Sequence, residues 1–517
     1  MLEYYFSGAG LRLGQSIVYA SLWIVIGLLI AGIFRYMLGP EKVRKLFGEG
    51  TRRGIFTGWL IGMLLPVCSL GVIPIIRELQ RSEVKGGTII AFALTAPLFN
   101  PMSVLYGLTL SDPIAIMSFS LCALLIVSVL GILWDRFFFK NESSDFTEAL
   151  PTPGIKRVSA IGYNMCREIT GASGLYILIG ILGSVLMAVA FQKGYLQGEV
   201  EHDNWKAPIT VAFIALPIYS TPLLAMSQIG GMFQHGNSIG AAFSLLILGA
   251  GANLGVVAWF GASFGWKKAL SFLGLLALTT ISLAYAVDKP LYPKGVEPAG
   301  HSHAFDVYSH PFHWEQPKMR DLMTSRMGDF WEANEFGGTY IFAMLIVIGV
   351  ALSVFDHNKI EAWFYSEGNK QGGGFDVPVP EWTVGAAAVI GLVVASVAGA
   401  YLYYPAPNEL LPEMFNSNTD CYLDSRNGKW EAAEKWIAYS DDLSRRLEVG
   451  VFLRNGSVDP FKTAKAKNYR EKLDRVKQAV EERDLTEMVP LTDELLEAYR
   501  RMSEAFKEEE ADPAVDD

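Results

Sequence analysis

Ten apolar stretches of membrane length recur along the chain, separated by short polar turns or by two longer polar regions. Each approaches or exceeds the roughly 20 residues that an α-helix needs to cross a bilayer. The pattern therefore predicts an all-α polytopic membrane protein. The stretches cover residues 15–38, 54–80, 87–110, 113–137, 172–196, 207–233, 238–262, 268–287, 338–355 and 382–404.

Two of these stretches are interrupted by paired prolines. Residues 54–80 contain the run 66–74, and residues 207–233 contain the run 217–222. Proline removes a backbone donor and clashes with the preceding helical turn, so each run is expected to break its helix. In a bilayer such a break is tolerated only where protein or a water-filled cavity surrounds it. Plain membrane spans with proline kinks are the alternative.

The two interruptions correspond in sequence. At an offset of 151 residues, Ser69 matches Ser220, and the Leu-Pro pair that precedes each serine matches too. The next apolar stretch in each half carries an asparagine at membrane depth, Asn100 and Asn253. Chance similarity between helices rich in Leu, Ala and Gly is the alternative to an internal repeat.

Loop charges favour a re-entrant path for the broken stretches. Loop 39–53 carries five basic residues and is predicted to be cytoplasmic by the positive-inside rule. A full crossing at 54–80 would place the bases of 77–85 and 136–167 outside, whereas a hairpin that enters and leaves on the cytoplasmic side keeps them inside. The same treatment of the second broken stretch leaves the acidic loop 197–206 outside.

These arguments predict two inverted repeats, each of three transmembrane helices plus a re-entrant broken-helix hairpin, an architecture typical of secondary transporters. Two additional C-terminal transmembrane helices and a helical extramembrane tail follow. The N-terminus, the loop after repeat 2 and the tail are predicted on the periplasmic side of the inner membrane. The predicted parts are membrane repeat 1 (10–140), a cytoplasmic linker (141–171), membrane repeat 2 (172–287), an outer-face loop with His and Met (288–337), the two extra helices (338–404) and the acidic tail (405–517).

Composition adds a sparse and uneven charge. Only 19% of the residues are charged, against about 25% in soluble domains. Residues 405–517 hold 26 acidic and 17 basic residues, which accounts for most of the net charge of −10. No basic stripe indicates nucleic acid. HExxH, GxGxxG and Walker motifs do not occur, so neither an enzyme, nor a cofactor, nor an ATP-driven pump is expected.

The candidate site has no charged side chain. Acidic, basic and histidine residues are missing from the middle of the first eight stretches, so a proton relay through the core is not expected. Hydroxyls, amides, one thiol and freed backbone groups suit a neutral or polarisable solute, or an anion held by helix N-termini. The candidate solute contacts are Cys68, Ser69, Asn100, Tyr219, Ser220, Thr221 and Asn253.

Two of these contacts have simpler interpretations. Cys68 is a soft ligand for a metalloid or copper-like solute, or a small apolar filler in a membrane helix. Asn100 and Asn253 contact the solute, or form hydrogen bonds between helices. The equivalent of Cys68 in the second half is Tyr219, which favours the filler.

A histidine cluster lies in the outer loop, and methionines follow it at helical i, i+4, i+8 spacing. Imidazole and thioether together are a plausible collector of copper or zinc, although the spacing matches no strong zinc pattern. Methionines at this spacing also pack amphipathic helices. The residues are His301, His303, His310, His313, Met319, Met323 and Met327.

The run Leu-Pro-Val-Cys-Ser-Leu-Gly-Val-Ile-Pro at 65–74, followed by a basic turn and by Ala-Phe-Ala-Leu-Thr-Ala-Pro-Leu-Phe-Asn-Pro at 91–101, resembles the predicted-permease family that includes the bacterial organoarsenical efflux permeases (ArsP-like). The resemblance covers about residues 10–287. Members often carry a second cysteine where this chain has Leu70. The resemblance implies a permease with motif positions at Cys68, Ser69, Gly71, Pro74, Asn100 and Pro101.

Taken together, the sequence predicts a permease that moves a small solute across the inner membrane between two broken-helix hairpins. A metalloid, a soft metal and a small anion are the candidate solutes. The expected partners are the bilayer, the solute and a protein bound through the tail. The alternative is a non-transporting membrane subunit or scaffold whose outer loop and tail dock a partner complex.

Overall fold

The computed structural model describes residues 2–48, 50–110, 113–138, 155–234, 236–293, 303–312, 314, 318–333, 336–355, 360, 363–364, 390–391, 393–394, 397, 399–401 and 403–507. All regular secondary structure in these residues is helical. The chain divides into two compact units. The first comprises Met1–Gly107 and Ser111–Ala395, and the second Leu108–Leu110 and Ser396–Asp517.

The helices up to Asp288 include those on both sides of each proline-rich break. Short π-helical stretches, Phe34–Leu38 and Leu245–Ala250, continue α1 and α12. The helices are α1 (Leu2–Ile33), α2 (Pro40–Phe47), α3 (Thr51–Leu64), α4 (Val72–Arg81), α5 (Gly86–Thr95), α6 (Pro101–Leu110), α7 (Pro113–Phe137), α8 (Ile155–Thr170), α9 (Ala172–Ala190), α10 (Ala207–Ala215), α11 (Pro222–Gln234), α12 (Ile239–Ser244), α13 (Leu254–Phe264) and α14 (Trp266–Asp288).

Six further helices complete the described structure. Of the predicted membrane stretch 382–404, most residues lie outside the described part of the chain. The further helices are α15 (Met319–Ala333), α16 (Phe336–Val354), α17 (Pro407–Arg426), α18 (Trp430–Asn455), α19 (Pro460–Glu482) and α20 (Leu485–Phe506).

Within the described residues, four helices are long and apolar enough to span a membrane. Leucines such as Leu121, Leu182 and Leu278 on three of them are exposed, as expected for side chains that face lipid rather than water. A bent helix pair, α12 with its π-helical continuation and α13, is a fifth candidate and turns by 55° at its break. The four spans are Glu3–Leu38, Pro113–Phe137, Ala172–Ala190 and Trp266–Asp288.

The long helices α1 and α9 pack against each other in opposite directions. His310 lies 3.0 Å from the carbonyl oxygen of Tyr4, near the start of α1, and its backbone N–H donates to Phe191, just after α9. At the other end, the residues after α1 and Ala172 at the start of α9 line one cavity. We call the first end the loop end, because residues 303–312 pack there, and the second the basic end.

The segment from α3 to α4 runs out and back. Gly54 near the start of α3 lies against the start of α5, and Gly62 near its end lies against Thr95. The two helices are therefore parallel, and α4 returns between them in sequence. Lys85 Nζ, after α4, lies 3.5 Å from Thr51 Oγ1 at the start of α3. The segment begins and ends at the basic end.

The segment from α10 to α11 follows the same kind of path. Gly240 in α12 lies against the start of α10, and Gly249 in the π-helical stretch lies against Ala215 at the end of α10. These elements are parallel too, so α11 returns between them. The N–H of Ser238, after α11, donates to the carbonyl of Val200, before α10, at 3.0 Å. Val200 follows α9, and this segment thus opens at the loop end.

The chain between α3 and α4 lies directly on α1. A Cβ at Gly27 would collide with the carbonyl group of Gly71, and a Cβ at Gly71 would collide with the carbonyl oxygen of Trp23. Backbones approach this closely only where neither carries a side chain at the contact. Glycine at these two positions therefore sets the distance between α1 and the interrupted helix.

Glu168 of α8 joins three helices at the basic end. Its carboxylate pairs with Arg77 and Arg81 of α4 and accepts a hydrogen bond from Ser173 of α9. Burial alone raises the pKa of Glu168, but the two guanidinium groups and the serine hydroxyl hold that pKa below its usual range. The carboxylate is therefore charged at neutral pH and holds α4 against the start of α9.

The second unit is a set of four helices, α17 to α20, in which each helix packs against the next. Its apolar core contains Leu447, Leu473 and Met502. One ion pair is enclosed within it, since Arg470 Nη1 lies 2.6 Å from Glu448 Oε2 and both side chains are at most 5% exposed. The tail is therefore a folded helical unit with a core of its own.

Replacing Gly27 with Ala is expected to destabilise the first unit by about 1–3 kcal/mol, the usual cost of overpacking, because the new methyl group collides with Gly71. The measurement is the thermal unfolding midpoint of the full chain in detergent. Gly274→Ala is the control, since a Cβ there meets nothing within 4 Å and alanine favours the helix. Equal midpoints for the two variants would contradict the close approach.

Replacing Glu168 with Gln is expected to cost about 3 kcal/mol at pH 7, because a buried ion pair loses one partner. The folded pKa is lower than the unfolded value near 4.5, so this stabilisation exists above that value and is lost as the pH falls through the folded pKa. The unfolding midpoint of the parent chain should therefore drop more steeply on acidification below about pH 4.5 than that of the variant.

The control for this variant is Glu83→Gln. Glu83 lies 3.5 Å from Arg44 in a pair whose side chains are 33% and 42% exposed. Exposed pairs contribute at most about 1 kcal/mol, so this change should be nearly neutral at pH 7. Identical acid profiles for the parent chain and the Glu168 variant would refute the assigned role.

Candidate solute site

The first break, residues 65–71, joins α3 to α4 and is buried. The Cys68 thiol accepts a hydrogen bond from the N–H of Gly71 at 3.3 Å, which satisfies a donor at the start of α4. Ser69 is fully buried beside it, and Pro74 is buried in the first turn of α4. All four candidate residues of this break therefore face protein rather than lipid.

The second break, residues 216–221, joins α10 to α11. The N–H of Tyr219 donates to the hydroxyl of Ser184 in α9. Thr221 Oγ1 accepts a backbone N–H from the first turn of α11 at 3.2 Å, so it acts as a helix cap. Ser220 is buried. The break is thus tied to α9 on one side and capped on the other.

Asn100 and Asn253 occupy equivalent structural positions. Asn100 Oδ1 accepts the N–H of Ser103 at 2.9 Å and caps α6, and Asn253 Oδ1 accepts the N–H of Val256 at 3.0 Å and caps α13. Asparagine is among the preferred residues for this role. Pro101 is the first residue of α6, and its side chain lies outside the described part of the chain.

Three buried donors near the breaks are unused within the described part of the chain. Asn100 Nδ2, Asn253 Nδ2 and Ser69 Oγ have no hydrogen-bond partner within the described residues. A buried polar group without a partner costs about 1–3 kcal/mol, and native proteins rarely leave one without a reason. A bound solute or a water molecule is the kind of partner that removes this cost.

The two halves meet at these residues. The side chains of Cys68 and Tyr219 interact across the two breaks. Leu70 of the first break and Asn253 both lie against Gly180 of α9. The structure therefore brings residues of the first break together with Tyr219 of the second break and with Asn253, in a region of the described chain without charged side chains.

One contact of this region comes from the outer loop and was not indicated by the sequence. The Tyr308 hydroxyl donates to Gln228 Oε1 of α11 at 3.0 Å and interacts with Ser220 of the second break. Burial raises the pKa of Tyr308 to about 12, so the phenol stays protonated. Gln228 in turn donates to the carbonyl of Ala304 at 2.6 Å. The sequence feature that could have pointed to this contact is Gln228 itself, a polar side chain in the middle of the apolar helix α11.

Of the four histidines in the outer loop, only His310 has a side chain within the described residues. His301 and His313, together with the side chain of His303, lie outside the described residues. His310 is buried, and burial lowers its pKa, so the ring is neutral. A ring with Nε2–H donating to Tyr4 and Nδ1 accepting the N–H of Phe312 satisfies both nitrogens. The metal site stays a prediction.

The methionine stripe packs against α1. Met323 lies against Gly10 and the side chain of Met327 lies against Gly14, while Met319 belongs to a small buried cluster that contains Leu11. These contacts correspond to the packing alternative for the helical spacing of the methionines. Among the described residues, no group of three His, Cys, Asp or Glu side chains is placed to hold a metal ion.

Two known proteins are similar to this chain over short segments. The chain is 34% identical to the UPF0718 protein YcgR of Bacillus subtilis over 80 residues, 16% of this chain and 27% of that protein. It is 30% identical over 86 residues to a Streptococcus mutans protein named "Putative two-component membrane permease complex subunit", 17% and 29% of the two chains. The matched parts thus span less than a third of these two relatives.

A third relative is matched over most of its length. The UPF0718 protein MJ0584 of Methanocaldococcus jannaschii is 19% identical over 330 residues, 51% of this chain and 90% of that protein. No solved structure matches the chain.

The family described as a predicted permease matches residues 11–288, more than half of the 517 residues. The match contains both breaks and both capping asparagines, and it confirms the resemblance carried by residues 65–74 and 91–101. Together with the apolar helices, it shows a multi-pass membrane protein. The chain belongs to the predicted permease family.

Proposed function

We propose that this protein moves a small solute across the inner membrane through a site between two broken-helix hairpins. The proposed contacts are the thiol, hydroxyl and amide groups at the two breaks and at the capping asparagines. The chemistry is transport rather than catalysis. The proposed solute-contacting residues are Cys68, Ser69, Asn100, Tyr219, Ser220, Thr221 and Asn253, with Gly71, Pro74 and Pro101 shaping the backbone around them.

The observation that carries this proposal is the pair of unused amide donors, Asn100 Nδ2 and Asn253 Nδ2, which have no partner among the described residues. Each amide oxygen is already occupied by a helix cap, so both side chains are held in place and offer only N–H groups. A solute with lone pairs removes their desolvation cost. Ser69 adds a hydroxyl in the same buried region.

The path of the chain supports two inverted repeats. Each repeat contains a long helix, a broken out-and-back segment, an asparagine-capped broken helix and a second long helix. The first out-and-back segment opens at the basic end, where Lys85 meets Thr51, and the second opens at the loop end, where Ser238 meets Val200. Alternating access between such repeats is typical of secondary transporters.

The sidedness follows from loop charge. The basic end holds Arg44 and Arg52, and the start of α14 with Lys267 lies there too, because Lys268 Nζ contacts the carbonyl of Phe138 after α7 and Asp135 of α7 contacts the start of α5. We therefore place this end in the cytoplasm by the positive-inside rule. The N-terminus, the loop 303–312 and the tail then lie on the periplasmic side. Tyr308, held by Gln228, contacts Ser220 of the second break from that side. We interpret this conformation as one closed to the periplasm.

A non-transporting subunit is the second candidate function. One relative is named as a subunit of a membrane permease complex, and the second unit of this chain is a folded four-helix body with its own core. In this alternative the outer loop and the tail dock a partner complex. The flux experiment below separates the two functions.

Replacing both Asn100 and Asn253 with Ser should lower solute flux about tenfold or more, the equivalent of about 1.4 kcal/mol. Serine retains a capping oxygen but lacks the amide donors, so the unfolding midpoint should change little. The measurement is uptake into proteoliposomes of three probes: methylarsonous acid, monovalent copper and phosphate. Asn204→Ser is the control, because Asn204 also accepts a backbone N–H, from Lys206, in a loop outside the site.

Unchanged flux in the double variant would exclude the asparagines as solute contacts. If the parent chain transports none of the three probes, the result would favour the non-transporting subunit.

Labelling with a membrane-impermeant maleimide in intact cells tests the sidedness. Asp203→Cys should react from outside, since that side chain is fully exposed at the loop end. Arg52→Cys and Lys267→Cys, exposed positions at the basic end, should react only after permeabilisation. The unsubstituted chain is the control for background labelling, because Cys68, Cys166 and Cys421 are buried and the partly exposed Cys122 lies within the apolar span Pro113–Phe137. The reverse pattern would invert the assigned orientation.

A further inference from the structure

A polar cavity of about 270 Å³ lies at the basic end, away from the solute site described above. It is enclosed by the residues that follow α1, by α4, by α8 and by the start of α9. Among the described residues, four guanidinium groups and one carboxylate line it. The lining residues used in the argument are Arg35, Arg77, Arg81, Arg167, Glu168 and Ala172.

The single carboxylate is already neutralised. Glu168 pairs with Arg77 and Arg81 and accepts a hydrogen bond from Ser173. Arg167, its neighbour in sequence, makes no ion pair with any residue that the structure describes, and it is half-buried in the cavity wall. Arg81 also pairs with Glu78 at 3.3 Å, so within the described residues Arg167 is a cation that lines the cavity without a carboxylate partner.

The start of α9 adds to this charge. Ala172, the first residue of this 19-residue helix, lines the cavity. The first turn of a helix presents backbone N–H groups without partners inside the helix, and its end carries about half a positive charge. The arginines and this helix end point to the same ligand chemistry, a negatively charged group with several acceptor oxygens.

We infer that this cavity is where the permease first captures its solute, and that the solute carries an oxyanion group such as a phosphate, sulfate, arsenate or carboxylate. The inference rests on the proposed transport function and narrows its substrate class. Arg77 is six residues after Gly71 on α4, about 9 Å along the helix. The cavity therefore lies about two helical turns from the first break, on the cytoplasmic side in the proposed orientation.

Geometry favours an oxyanion over other anions. A guanidinium group is a planar fork of donors that matches two oxygens at once, and a halide offers no such pair. The volume of about 270 Å³ accommodates a small oxyanion with part of its hydration shell, since a water molecule occupies about 30 Å³. It is too small for an extended polyanion.

The test measures binding to the full chain in detergent by isothermal titration calorimetry, with phosphate, sulfate and arsenate as probes and chloride as the halide comparison. We expect at least one oxyanion to bind and chloride not to bind. Arg167→Gln should weaken that binding about tenfold or more, and Arg167→Lys should weaken it less. Because Arg167 has no partner among the described residues, these variants are expected to fold, which their unfolding midpoints check.

Arg157→Gln is the matched control, a change of the same type on the same helix α8 at a residue that does not line the cavity. It should leave the affinity unchanged. Absence of binding by all three oxyanions, or equal weakening by the Arg157 and Arg167 variants, would overturn the inference, because the effect would then be one of general surface charge.

Flux in proteoliposomes separates this inference from the proposed function. Transport of an oxyanion that the Arg167 variant impairs would support both. Transport of methylarsonous acid without transport of any oxyanion would overturn the solute class and leave the permease function intact. Oxyanion binding without flux of any probe would overturn the transport function and with it the role of the cavity in loading.

Discussion

A helix that is interrupted inside a bilayer must find hydrogen-bond partners within the protein, because hydrocarbon supplies none. This chain meets the requirement with side chains that precede each resumed helix. Cys68 accepts a donor at the start of α4, Asn100 caps α6, Thr221 caps α11 and Asn253 caps α13. Four breaks can therefore coexist in the first unit, and the polar groups that the caps leave unused are the ones available to a solute.

Charge is distributed to suit this interior. The breaks are lined by uncharged groups, whereas the guanidinium groups and Glu168 lie at the basic end, where α4, α8 and α9 meet. Enclosing a charge costs several kcal/mol unless it is paired, and Glu168 has three partners. Arg77, Arg81 and Ser173 bind the carboxylate of Glu168, and Arg167 lines the same cavity without taking part in these contacts. An ion-pair network that stabilises the fold and a cationic cavity therefore lie side by side.

The sequence predicted the broken helices, because proline pairs act locally, and it predicted the family from the residues around Cys68 and Asn100. It did not predict which side chains meet. The contact of Cys68 with Tyr219 joins positions 151 residues apart, and the approach of Tyr308 to Ser220 depends on how a polar loop folds back. Arg77, Arg81 and Arg167 were recognised only as loop charges, since their common cavity forms from four elements that are separate in sequence.

His310 joins α1 and α9 at the loop end. Its ring lies 3.0 Å from the carbonyl oxygen of Tyr4 near the beginning of α1, and its backbone N–H donates to the carbonyl of Phe191 just after α9. The arginine-lined cavity lies at the other end of the same two helices. A helix of 19 residues such as α9 is about 28 Å long. A tilt of roughly 5° about its loop end therefore displaces its opposite tip by about 2.5 Å. The contacts of Glu168 with Arg77, Arg81 and Ser173 hold that opposite tip, so the two long helices are fastened at both ends and such a tilt requires these contacts to break.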